Sequence, residues 1–108
     1  MRTIHTKQIE DAVYELAKRA CLQLTPSCTA ALNAAAAAER EGSAAKFALD
    51  TLLQNAETAK AETMPVCQDT GYAVVLAEIG QEVCLEGDFL GNAVNEGVRR
   101  AYEDFRFR

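Results

Sequence analysis

The sequence predicts an α+β fold: a mainly helical N-terminal half, then a β-hairpin, then a C-terminal helix. Three observations carry this reading. Apolar residues recur at helical spacing from Thr6 to about residue 61, with breaks at Thr25-Pro26 and Gly42-Ser43. A nearly unbroken apolar run, Tyr72 to Ile79, lies between Gly71 and Gly80 and reads as a strand buried on both faces. A last amphipathic stretch follows Gly87-Asp88.

The first helix is expected from Thr6 to about Leu24. Ile9, Val13, Leu16, Ala17, Ala20 and Leu24 share one face, and Glu10-Asp11 near the start and Lys18-Arg19 near the end suit the helix dipole. Thr25 is placed to cap a second helix with Pro26 at its first position, where a missing N–H costs nothing. That helix runs through Ala34 to Ala38 to about Glu41. Its alanines have high helix propensity and allow close approach, but its own apolar stripe is weak. Gly42-Ser43 ends it and starts a third helix carrying Phe47, Leu49, Leu52, Leu53, Ala56 and Ala59. After the Tyr72–Ile79 strand, Gly80-Gln81 is expected to turn the chain into a second strand, Glu82 to Leu85. Asp88 is placed as N-cap of the last helix, with Leu90, Ala93, Val94, Gly97, Val98, Ala101, Tyr102 and Phe105 on its apolar face. A lone hairpin is marginal, and a strand apolar on both sides needs cover on both sides. The 108 residues therefore read as an incomplete domain.

The chain carries a formal net charge of −5 with a pI near 4.8, which argues against a nucleic-acid partner. No apolar run approaches the ~18 residues of a membrane span, and the N-terminus lacks an apolar leader core, so no membrane partner and a cytoplasmic location are expected. The four cysteines, at 21, 28, 67 and 84, have no C-x-x-C spacing and only one histidine, His5, for company. Neither a zinc site nor a disulfide framework fits that pattern. His5 reads as a surface or capping residue, and Tyr14, Tyr72 and Tyr102 as amphipathic packing residues.

The chemistry concentrates in Pro65-Val66-Cys67-Gln68-Asp69-Thr70-Gly71. Pro65 fixes its own φ and drives Met64 away from helix, while Gly71 permits a left-handed backbone on leaving the loop. A stiff loop thus offers a thiol, an amide, a carboxylate and a hydroxyl in succession, an arrangement frequent at functional sites. On residue types alone, a buried, inert Cys67 beside an Asx-type turn at Asp69 competes with that reading.

This segment resembles the P-[IV]-C-Q-D-T-G signature of class I fumarate hydratases and their relatives, including L(+)-tartrate dehydratase alpha subunits, which are iron–sulfur hydro-lyases. Leu53-Gln54-Asn55-Ala56 with Ala59 is similar to the family's helix before the signature. Ile79-Gly80-Gln81 and Glu96-Gly97-Val98-Arg99-Arg100-Ala101-Tyr102 are similar to a turn and a helix after it. The resemblance covers nearly the whole chain, as the N-terminal part of an alpha domain more than twice as long.

The resemblance implies that Cys67 is one thiolate ligand of a 4Fe-4S cluster whose other cysteine ligands come from further along the domain. Three-cysteine ligation leaves one iron open to act as a Lewis acid. It also implies that Gln68 and Asp69 face substrate, with Asp69 in the proton chemistry, and that Arg108 aligns with a carboxylate-binding arginine. Thr70 and Gly71 shape the loop. Cys21, Cys28 and Cys84 take no part. The implied reaction is reversible hydration of a four-carbon dicarboxylate of the fumarate/malate type. The implied partners are that substrate, a beta subunit or C-terminal domain of the same enzyme, and a second copy in a dimeric assembly. Two readings from other classes stand beside it: a non-catalytic helical interaction module with a structural Cys67, and a thiol enzyme using Cys67 as nucleophile.

Overall fold

A computed structural model describes residues 1–108. The elements, in chain order, are β1 (Arg2–His5), α1 (Thr6–Leu22), α2 (Pro26–Ala38), α3 (Ala44–Glu62), β2 (Val83–Glu86) and α4 (Leu90–Phe105). The α+β class and the helical N-terminal half are as expected. The chain divides into two compact units, one made of residues 1–19 with 69–108, the other of residues 20–68.

In the second unit the helix starts follow the capping residues. Thr25 Oγ1 accepts from the Cys28 N–H at 3.2 Å with Pro26 opening α2, and Ser43 Oγ accepts from the Lys46 N–H at 3.1 Å to open α3. Ala36 of α2 and Ala59 of α3 are buried, because methyl side chains let helices come close. Of the large apolar residues on α3, Phe47 and Leu52 stand exposed.

In the first unit two strand-then-helix pieces lie alongside each other. β1 and β2 pair in parallel, Arg2 opposite Val83 through His5 opposite Glu86, and each strand leads into its own helix. Helices α1 and α4 run in the same direction, since Glu10 meets Arg100 and Tyr14 meets Asp104 further along both. The small residues Ala93, Gly97 and Ala101 form the buried stripe of α4. A Cβ on Gly97 would lie 2.5 Å from the Glu10 carbonyl oxygen and 2.9 Å from Val13 Cβ, so only glycine permits this approach. Arg100 reinforces it, donating to Glu10 at 2.9 Å and Asp11 at 2.8 Å with its guanidinium over the Tyr14 ring. Hydrogen bonding to Lys7, and then to Arg100, holds the Glu10 carboxyl below its ordinary range. Tyr14 donates to Asp104 at 2.8 Å, which pushes its phenol up. No helix is long and apolar enough to cross a membrane.

Four expectations fail here. The hairpin does not form: residues 72–79 carry no ladder, and β2 pairs with β1 instead. The turn at Gly80-Gln81 is present, with the Val83 N–H donating to the Gly80 carbonyl at 3.1 Å, but it feeds β2 to a different partner. Nor is the 72–79 run buried on both faces. Tyr72, Val74 and Leu76 are 99%, 84% and 93% exposed, while Val75, at 41%, lines an open apolar groove of about 270 Å³ with Ile9, Leu16 and Val94. A continuous apolar run signals that cover is favourable, not which segment supplies it. Tyr72 is accordingly not a packing residue within this chain. The N-cap of α4 also moves by one, to Phe89. Asp88 remains close by, accepting from the Phe89 N–H at 2.7 Å and from Asn92 at 2.9 Å.

Candidate functional site

The boundary between the two units falls inside the signature, between Gln68 and Asp69. Each half is held by its own unit.

The first half begins where α3 stops. Thr63 caps α3 in the left-handed region at φ 54°, a conformation that crowds a β-branched side chain. The next N–H, of Met64, donates to the Ala59 carbonyl at 2.9 Å, closing the helix end. Pro65 then prevents any continuation. Both backbone groups of Val66 are bonded. Its N–H donates to the Cys21 carbonyl at 2.9 Å, and its carbonyl accepts from the Asn55 amide at 2.8 Å. The residue before Cys67 is thereby fixed, while the Cys67 thiol and the Gln68 amide lie exposed and free.

The second half is held by α4 and the C-terminal residues beyond it. Gly71 adopts φ 64°, and its carbonyl accepts from the Tyr102 hydroxyl at 2.9 Å. Thr70 Oγ1 accepts from the Arg108 N–H at 2.8 Å and donates to the Arg108 carbonyl. These bonds run through Thr70 and Gly71, and the Asp69 carboxylate accepts none of them. The Asx-type turn that the residue types allow is therefore absent. Asp69 is exposed, and the Arg108 backbone is bound to the residue next to it.

The remaining thiols are dispersed. Cys21 is half-buried on α1, and burial pushes its thiol up. Cys28 is exposed in the first turn of α2 and Cys84 is exposed on β2. No group of three or more His, Cys, Asp or Glu side chains is arranged to hold a metal ion. Cys67, accessible on an anchored backbone, fits a single ligand position, but this chain's residues do not complete a cluster site. His5 acts as a capping residue, its Nδ1 accepting from the Lys7 N–H at 3.1 Å.

Two supporting residues are not distinguished by the sequence. Asn55 lies inside the helix motif before the signature, and its amide donates to the Val66 carbonyl in the loop. Tyr102 reads as packing, which its edge contact with Phe107 at 5.5 Å supports, yet its hydroxyl also reaches the loop.

Comparison with known proteins supplies the family. The family model described as fumarate hydratase (Fumerase) matches residues 10–108. A protein of Methanocaldococcus jannaschii, assigned as subunit alpha of an L(+)-tartrate dehydratase, is 30% identical over 102 residues, covering 94% of this chain and 35% of that protein. Fumarate hydratase 2 of Leishmania major is 36% identical over 63 residues, covering 58% of this chain and 11% of that enzyme. This chain thus spans about a third of the first relative's length and a smaller part of the second's. With the match running through the anchored loop and both flanking helices, the chain belongs to the fumarate hydratase (Fumerase) family.

Proposed function

We propose that this chain is the N-terminal part of the cluster-binding alpha region of a class I fumarate hydratase-type hydro-lyase. The observation that supports this best is the anchoring of the loop within each unit: Val66 is bonded in one, with Cys67 and Gln68 exposed beyond it, and Thr70 and Gly71 are bonded in the other, with Asp69 exposed beside them. Side chains left free on a fixed backbone are what binding a ligand requires.

The reaction is reversible addition of water across the double bond of a four-carbon dicarboxylate. Hydroxyl bonds to one carbon and a proton to its neighbour, and both leave together in reverse. When bound, a 4Fe-4S cluster with one open iron supplies Lewis acidity. Cys67 contributes one of its thiolates, and the other cysteines come from the part of the relatives that this chain does not match. Gln68 donates amide hydrogen bonds to substrate carboxylate, and Arg108, by its alignment with the family's arginine, is a carboxylate-binding cation. Asp69 orients or carries the proton. A beta subunit or C-terminal domain completes the site in a dimeric assembly, and the 108-residue chain alone is inactive.

Asp69→Asn tests the role given to the carboxylate, once the chain is joined to the missing parts. The exchange removes charge and proton transfer with little change in shape. Turnover is expected to fall on the order of 100-fold or more, the range general acid–base groups contribute, with the cluster's visible absorption unchanged. Full turnover in the variant would make Asp69 a loop residue only.

A further inference from the structure

We propose that Tyr102 and Thr70 are positioning residues, a two-point clamp that holds the backbone of Asp69-Thr70-Gly71 against the C-terminal end of α4. The clamp arises from how α4 ends. Arg106 adopts the left-handed conformation at φ 55°, and its N–H bonds the Tyr102 carbonyl. The Phe107 N–H bonds the same carbonyl at 3.0 Å. That reversal folds Phe107 inward, 8% exposed, against the Phe105 ring at 5.7 Å and the Tyr102 ring at 5.5 Å. It also brings the Arg108 backbone to Thr70.

Tyr102 therefore acts with three groups at once. Its carbonyl closes the helix end, its ring packs on Phe107, and its hydroxyl, oriented by that packing, reaches the Gly71 carbonyl 31 positions away in sequence. Thr70 supplies the second point with one hydroxyl that both accepts from and donates to the Arg108 backbone, 38 positions away. Neither bond involves the Asp69 side chain. The carboxylate is held in place through its backbone and remains free to meet a ligand, and the Arg108 backbone is tied to its neighbour. The functional meaning of the clamp rests on the role proposed above for Asp69; its existence does not.

A simple structural role for Tyr102 would reside in its ring, so the hydroxyl must be tested separately. In the isotope-labelled 108-residue chain, Tyr102→Phe keeps the ring and deletes the donor. The expected signature is a changed carbonyl carbon shift at Gly71. Amide exchange at residues 70–73 should accelerate about five-fold, the factor of one ordinary hydrogen bond, while exchange in α1 stays as it was. Thr70→Val should loosen the same residues, and Thr70→Ser, which restores the hydroxyl, should return them to the original rates. The proposal is overturned if Tyr102→Phe leaves the Gly71 carbonyl and loop exchange unchanged. It is equally overturned if Thr70→Ser is no better than Thr70→Val, or if exchange accelerates uniformly through α1 and α4. The measurement needs neither iron nor dicarboxylate. A silent Asp69→Asn would remove the hydro-lyase role of Asp69 and leave the clamp standing.

Discussion

Gly97→Ala is expected to lower the thermal unfolding midpoint by about 10 °C, although alanine is the better helix former. A methyl at this position meets the Glu10 carbonyl oxygen at 2.5 Å and Val13 at 2.9–3.0 Å. A backbone oxygen cannot swing aside as a flexible side-chain tip can, so α1 and α4 must separate. Overpacking of this kind costs about 1–3 kcal/mol, occasionally more. Against it stands the ~1 kcal/mol that alanine gains over glycine inside a helix. With the nearest contact to rigid backbone, we place the net loss near 2 kcal/mol, each of which shifts the midpoint by about 4–8 °C in a chain of this size. Gly91→Ala is the control. A Cβ there meets nothing within 4 Å, so the same chemical change should raise the midpoint by a few degrees. Thermal melts of both variants, followed by circular dichroism, decide the matter. Two changes of the same sign would contradict the close approach of α1 and α4.

The second large effect concerns the thiols, in the protein completed by the parts this chain does not match. Cys67→Ser should abolish cluster assembly and, with it, turnover, because a neutral hydroxyl replaces a thiolate poorly on iron. Cys28→Ala and Cys84→Ala remove exposed thiols remote in sequence from the signature, and should leave the cluster's absorption intact. Cys21→Ser should also leave it intact but cost stability, since this thiol is half-buried and the change adds a polar group. Visible absorption and bound iron after anaerobic reconstitution distinguish the four. A cluster that survives Cys67→Ser, or is lost with any of the other three, contradicts the ligand assignment.

The helices are readable because their signals are local. Thr25-Pro26 and Ser43 cap within three residues, the 3.6-residue apolar period repeats along α1 and α4, and α2 is marked by the helix propensity of its alanines. The sheet is not readable in that way. β1 is only four residues long, too short for alternation to register, and its partner lies some eighty residues away. The stronger apolar run at 72–79 is the natural choice for a ladder, but strand pairing is a property of two segments, and one segment's pattern does not name the other.

The loop divides along the same line. Its residue types and the stops at Pro65 and Gly71 are local features and legible. The anchors at Asn55, Tyr102 and Arg108 cross 11, 31 and 38 positions, and no local pattern encodes them. Asp69 illustrates the limit. The same carboxylate two residues before a glycine serves equally for an Asx turn or a free ligand group, and only the neighbouring Thr70 hydroxyl, bonded elsewhere, shows that the turn is held without it.

The central claim is that this chain gives one thiolate to a cluster completed by other parts of a hydro-lyase. Anaerobic reconstitution with iron and sulfide tests it most directly, on the 108-residue chain alone and on the same chain joined to the segment that the tartrate dehydratase alpha relative carries beyond the match. No stable cluster is expected on the chain alone. About four irons per chain, with the broad visible absorption of a 4Fe-4S cluster, are expected on the extended form. A full cluster on the 108 residues alone, or none on the extended form, would contradict it.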